Sequence, residues 1–289
     1  MGLIVSYFQG SEEDLVAFAD SGGTVHCLIV ALDYKYSPGH ELTCTQDARA
    51  MVRTAERAGV GDITVVDDLH LGTPGFPTRA ALLKSIRKVG RRCEAGDWFV
   101  WFFAGHGVNV PDATGDEVDG FDEAFVTPDN DGRLTEKAVL VDDDFARALD
   151  DFMPEGVRIL CICDCCHSGT ICDIDSHYFR HEIYQISASQ DNEEAEDTGR
   201  GGVLTASLRR TIRSLSVKHG EEAFSIQDVV DGCRLRSKRM TKLQELSFQF
   251  SGAPPEQVAW PLCFPWWEYL KGASGNLERY EDENSGDDS

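Results

Sequence analysis

The sequence predicts an α/β fold, a three-layer sandwich in which helices flank a mostly parallel central β-sheet. Three observations carry that expectation. Strand-like and helix-like segments alternate along the chain, and two long apolar strands end abruptly in polar residues. In addition, 289 residues with 42% hydrophobic content can bury a core without disulfides or metal staples. The run TVHCLIVAL, Thr24 to Leu32, reads as a buried strand followed by a Gly/Pro loop. A helix opening at Asp47 places Ala48, Met51, Val52, Ala55 and Ala58 at helical spacing, with Gly59 where it stops. Asp62 to Val66 gives a second strand, and Thr78 can cap a helix that turns Leu82, Leu83, Ile86 and Val89 to the core. Trp98 to Phe103 is a third strand, an unbroken apolar run that ends at Ala104-Gly105-His106-Gly107. A long acidic loop is expected from Val108 to Leu140, then a short helix from about Asp142 to Asp151 and a strand from Val157 to Cys163. The second half reads as a strand at Glu182 to Ser187 and an acidic loop from Gln190 to Gly202. Helices at about Leu204 to Ser216 and Ser225 to Met240 and a last strand near Leu246 to Phe250 complete it.

Charge narrows the partners. With 50 Asp and Glu against 27 Lys and Arg, the formal net charge is −23, which argues against nucleic acid and favours metal ions, basic substrates or Lys/Arg-bearing peptides. No apolar run reaches the roughly eighteen residues of a membrane span, and the N-terminus lacks the features of a secretory signal. A soluble, cytoplasmic chain is expected, with Met1-Gly2 and Ser6 fitting the myristoylation template at Gly2. Of the ten cysteines, five fall between Cys161 and Cys172, too clustered to cross-link a fold, so reduced thiols are expected.

The chemistry gathers at two strand ends, Ala104-Gly105-His106-Gly107 and Cys163-Asp164-Cys165-Cys166-His167-Ser168-Gly169. In a parallel sheet both project from one edge, so His106 and Cys166 can meet across adjacent strands. An imidazole there takes the thiol proton, and the resulting thiolate is a nucleophile. The flanking glycines suit backbone that turns sharply and presents N–H groups to an oxyanion. Metal binding by Cys161, Cys163, Cys165, Cys166, His167 and Cys172 is the rival chemistry. It fits less well, because the first three alternate along a strand whereas zinc knuckles come from loops.

The strings FFAGHGVNVPDATGDEVDGFDEAFVTPD (Phe102 to Asp129) and CDCCHSGTICD (Cys163 to Asp173), with ELTCTQDARAM (Glu41 to Met51), resemble the catalytic blocks of metacaspases, the caspase-related cysteine peptidases. The resemblance covers about Thr24 to Cys263. It implies a caspase-like sandwich, with residues 1–23 as an N-terminal extension and 24–271 as the catalytic domain. Within that domain, about 24–175 would be large-subunit-like and about 182–271 small-subunit-like, and 272–289 would form an acidic disordered tail. It also implies a Ca²⁺-dependent endopeptidase that cleaves after Arg or Lys. His106 would be the base and Cys166 the nucleophile. Asp47 and Asp164 would line the specificity pocket, and Asp122, Asp142, Asp143 and Asp173 would hold Ca²⁺. EF-hand spacing fails at both Gly120 and Gly132, so a calcium site must be assembled from separate loops.

Departures from the family pattern are informative. Ala104 and Cys165 stand where serines are usual, and Cys165 beside Cys166 suggests a redox brake. The stretch from Asp122 to Asp142 is longer than usual, which leaves open whether the aspartate pair is Asp142 and Asp143 or Asp143 and Asp144. Arg180 and Arg200, in expected loops, are candidate self-cleavage points, and the family resemblance implies a monomer. The contrasting expectation is a catalytically silent caspase-like scaffold that acts as a regulatory or calcium-responsive binding module.

Overall fold

The computed structural model describes residues 23–111, 120–166, 168–174, 177–188, 201–220, 222–241 and 245–263. Six strands form the main sheet: β1 (Val25–Ala31), β2 (Asp62–Asp67), β3 (Trp98–Ala104), β7 (Arg158–Asp164), β8 (Ile183–Ser187) and β9 (Ser247–Ser251). They lie in the order β2-β1-β3-β7-β8-β9. All neighbours are parallel except β8 and β9. Parallel strands buried on both faces read as continuous apolar runs, and β3, WFVWFFA, is buried at every position.

Alternation along the strands divides the core into two layers. Cys27, Ile29, Val100, Phe102, Leu160 and Ile162 face α1 (Thr45–Arg57), α4 (Val203–His219) and α5 (Ile226–Met240). Leu28, Val30, Trp101, Phe103 and Ile159 face α2 (Arg79–Gly90) and α3 (Asp142–Phe152). On that second face Trp101, Phe103, Phe125 and Phe145 interlock, with centroids 4.5 Å apart for Phe103 and Phe125 and 4.9 Å for Trp101 and Phe145. Each such pair contributes about 0.5–1.5 kcal/mol beyond its area.

Two expectations are corrected. The span from Val108 to Leu140 is not one loop. Its described part joins Gly107 in a second, three-stranded antiparallel sheet of β4 (Gly107–Pro111), β5 (Phe121–Val126) and β6 (Val139–Val141). Consecutive Asp122 and Glu123 break the alternation of β5, and both are buried. α1 begins at Thr45, not Asp47. Its cap comes from outside the helix: Asp33 Oδ1 accepts the Thr45 N–H at 2.8 Å and Oδ2 the Thr45 hydroxyl at 2.8 Å. A carboxylate at a helix N-terminus satisfies an orphan donor and complements the dipole. Among the described residues, no helix is long and apolar enough to cross a membrane.

Candidate active site

β3 and β7 are parallel neighbours whose register pairs Ala104 with Asp164. His106 and Cys166 each lie two residues past that pair, so they leave the same sheet edge side by side. The Gly105 N–H donates to the Asp164 carbonyl at 3.4 Å, which carries the contact past the strand ends. At Gly107 the approach is closer still. A Cβ there would sit 2.0 Å from the Cys166 carbonyl oxygen, so any larger residue would push the two loops apart. Both His106 and Cys166 are partly exposed at this edge.

Four of the contacts on His106 fix its place. Its N–H donates to the Tyr34 hydroxyl at 2.8 Å, and its carbonyl accepts from the Val126 N–H at 3.0 Å. Its ring lies 4.7 Å from the Tyr34 ring, and its Nε2 is 2.9 Å from the His40 carbonyl. A carbonyl only accepts, so Nε2 carries the hydrogen and the neutral ring keeps Nδ1 as its basic nitrogen.

The loop that follows Cys166 is pinned from below by Gln185, a fully buried side chain in the middle of β8. Its Nε2 donates to the Ser168 and Gly169 carbonyls, each at 2.7 Å, and its Oε1 accepts the Cys172 N–H at 3.0 Å. From the side, the Thr170 hydroxyl donates to Glu123 Oε2 at 2.6 Å. One amide and one carboxylate therefore help to hold the chain between Ser168 and Cys172.

Asp47 and Asp164 are both buried and converge on the first residues of α4. Asp47 Oδ2 accepts the Gly202 N–H at 3.1 Å, and a Cβ on Gly201 would lie 2.3 Å from Asp47 Oδ1. Asp164 Oδ2 accepts the Thr205 N–H at 2.9 Å and its hydroxyl at 2.6 Å, and a Cβ on Gly202 would lie 2.2 Å from that oxygen. Asp47 sits at the third position of α1, whose cap is Asp33. Its carboxylate is therefore released from capping and reaches across to Gly202 at the start of α4.

Three of the expected calcium aspartates lie around β5, β6 and α3. Asp142 Oδ2 accepts the Glu123 N–H at 2.7 Å and its Oδ1 the Asp143 N–H at 2.8 Å. Burial, together with the Glu123 and Asp122 carboxylates, pushes its pKa up to about 8 against the pull of those N–H groups. Asp143 lies 4.0 Å from Arg147, and Asp144 pairs with Arg79 and Arg147. Asp173 is buried, with a left-handed backbone (φ 52°). The donors are hard oxygens of the kind Ca²⁺ takes, but they are not gathered into a shell. Among the described residues, no three His, Cys, Asp or Glu side chains are arranged to hold a metal ion.

Cys165 is 1% exposed within the second core layer, and burial raises its thiol pKa well above the usual range. Burial that holds the thiol protonated slows sulfenic-acid trapping, which weighs against the redox brake. Arg180 is anchored to Asp150, with its N–H on Oδ1 at 2.9 Å, Nε on Oδ2 at 2.9 Å and an Nη on the backbone carbonyl at 2.6 Å. Gly2, His167, Arg200 and 264–289 lie outside the described residues.

An α/β sandwich with a cysteine and a histidine at adjoining parallel strand ends defines the caspase-like class of folds. The metacaspase, peptidase C14 domain model matches residues 26–175. The chain belongs to the metacaspase family. It is 30% identical over 155 residues to metacaspase-2 of Arabidopsis thaliana, which covers 53% of this chain and 36% of that one. To metacaspase-3 of Trypanosoma brucei brucei it is 28% identical over 274 residues, covering 82% and 74%. To metacaspase-1A of Aspergillus oryzae it is 26% identical over 217 residues, covering 73% and 50%. Across these three the chain spans between about a third and three quarters of the relative's length. In structure, a Geobacter sulfurreducens protein superposes with a TM-score of 0.62 at 23% identity, covering 84% of this chain and 99% of that one, a likeness of fold.

Tyr34, His40, Glu123, Gln185 and Thr205 were not foreseen from sequence. For Gln185 a signal was present, because a polar amide in the middle of the buried run IYQIS must find partners.

Proposed function

We propose that the chain is a cysteine endopeptidase that uses His106 as base and Cys166 as nucleophile, and cleaves after Arg or Lys. The observation that carries this reading is the register of Ala104 with Asp164, which sets His106 and Cys166 side by side on two strands in backbone contact. In this reading His106 takes the Cys166 proton, and the thiolate attacks the scissile carbonyl. Collapse of the tetrahedral adduct expels the amine, which leaves with the proton from His106, and a thioester remains. Water then attacks the thioester, giving its proton to His106, and the acid is released as Cys166 regains its hydrogen. The buried carboxylates Asp47 and Asp164 suit a guanidinium or ammonium in the pocket, whose positive charge and N–H donors complement them.

Calcium activation is part of the same proposal, supported by the acidic crowding of Asp122, Glu123 and Asp142 that a divalent cation would relieve. Asp143 and Asp173, which are not gathered with them in this structure, would have to close on the cation. The cation would supply charge neutralisation beside the nucleophile loop, which Glu123 already touches through Thr170. Self-cleavage is proposed after Arg200, whose next residue, Gly201, rests against Asp47. Arg180 would first have to leave its three bonds to Asp150. The chain is further proposed to act as a monomer, which sedimentation would check.

The second reading, a silent binding module, is favoured by one observation. Gly202, which caps α4, and Thr205 in its first turn already occupy hydrogen-bonding positions on the two carboxylates. Fluorogenic peptides ending in Arg, Lys or Asp, assayed with Ca²⁺ or chelator, decide between them. Ca²⁺-dependent release after Arg or Lys that is absent in Cys166→Ala supports the peptidase. No release by the reduced native chain at any Ca²⁺ concentration supports the module.

A further inference from the structure

Tyr34 combines four features that a core aromatic does not need. Its backbone is left-handed, φ 53°, a conformation that bulky L-residues adopt only when the surroundings impose it. It is 1% exposed, yet its hydroxyl lies at the rim of the site. There it accepts the His106 N–H at 2.8 Å and donates to the Val126 carbonyl at 2.9 Å. Its ring meets the His106 imidazole at a centroid distance of 4.7 Å. The packing is tight enough that a Cβ on Gly105 would fall 2.6 Å from the Tyr34 hydroxyl oxygen, so the glycine before His106 makes room for it.

We propose that Tyr34 is the positioning residue of the general base: it fixes the His106 backbone through its hydroxyl and the imidazole plane through its ring. The inference rests on the reading of His106 as the base of Cys166. With the His40 carbonyl holding Nε2, the ring is constrained from its main chain, its face and its far nitrogen at once. This leaves Nδ1 as the one nitrogen able to take a proton. Burial raises the Tyr34 pKa well above its ordinary value, so the hydroxyl keeps its hydrogen and can serve Val126 while it accepts from His106. Through Val126 the same hydroxyl ties the base to β5, the strand that carries Asp122 and Glu123.

Tyr34→Phe keeps the ring and deletes the hydroxyl. Two rates test it: hydrolysis of an Arg peptide, and alkylation of Cys166 by iodoacetamide at neutral pH, followed by mass spectrometry. Each is measured in the native chain, Tyr34→Phe, His106→Ala and the double variant. The expected result is a fall of about tenfold in kcat and in alkylation rate for Tyr34→Phe, the rate equivalent of one net hydrogen bond. KM should stay unchanged, and Tyr34→Phe should have no further effect on alkylation in the His106→Ala background. Unchanged kcat and alkylation in Tyr34→Phe, or an equal slowing with and without His106, overturns the proposal. A native chain that hydrolyses no peptide refutes the peptidase reading by itself. In that case Tyr34 is still judged, because alkylation of Cys166 reports the thiolate without substrate.

Discussion

Cys165 and Cys166 are adjacent in sequence and opposite in chemistry, because one points into the core and the other to the sheet edge. Brief iodoacetamide treatment of the native protein should therefore modify Cys166 and spare Cys165, whereas both react in denaturant; peptide mass spectrometry reads the difference. At the proposed specificity pocket, Asp164→Asn removes one of two carboxylates. The expected loss is about 2–4 kcal/mol of transition-state binding for an Arg peptide, roughly 30- to 1,000-fold in kcat/KM. A loss that falls equally on an Arg peptide and on Cys166 alkylation would mean that Asp164 acts on the loop and not on the substrate. That His106 and Cys166 leave one sheet edge was legible because each follows a strand inside a short contiguous motif, whereas Asp47 and Asp164 were singled out by the family resemblance. Tyr34 was not, because its partner His106 is 72 residues away, and Thr205 meets Asp164 from 41 residues further along the chain.

Among the elements, β1 and β3 of the main sheet were legible as apolar runs, and the helices as faces of 3.6-residue spacing. The sheet of β4, β5 and β6 was not. Its strands are five, six and three residues long, and the charged residues of β5 are buried by contacts that sequence does not display. β8 illustrates a further limit, since its apolar pattern announced a strand but not that Gln185 would hold another loop. Gln185→Leu would leave the Ser168 and Gly169 carbonyls and the Cys172 N–H without their side-chain partner. The expected destabilisation is about 2–4 kcal/mol, measured by urea titration. The same variant should lower kcat, because the loop it releases carries Cys166; a native kcat would restrict Gln185 to a structural role.

Across the whole molecule, the edge opposite the candidate active site has its own polar fastening. The His26 Nδ1 lies 2.5 Å from Asp62 and its Nε2 3.1 Å from Asp97, while Arg92 reaches Asp62 at 2.7 Å. Burial alone would raise both carboxyls. For Asp62 the Arg92 and His26 bonds outweigh burial, and for Asp97 the Glu94 and Thr24 N–H groups and His26 do, so both pKa values are lowered. A carboxyl lowered on folding stabilises the fold above its unfolded pKa of about 4, and that stability is lost as pH falls through the lower folded value. Urea midpoints should therefore drop below about pH 4. His26→Ala should be less stable at neutral pH and flatter in that acid range; an unaltered acid slope would remove His26 from the account.

The order of the sheet also determines what a single cut can achieve. β8 lies between β7 and β9, while α4 donates to both Asp47 and Asp164 from the far side of the segment that contains Arg200. Hydrolysis after Arg200 would therefore sever one covalent bond while leaving intact the β8–β9 ladder and the whole of the first core layer. The cleaved protein should run as two bands in denaturing gels and migrate as a single particle in gel filtration. Its maturation would be a change of connectivity without dissociation.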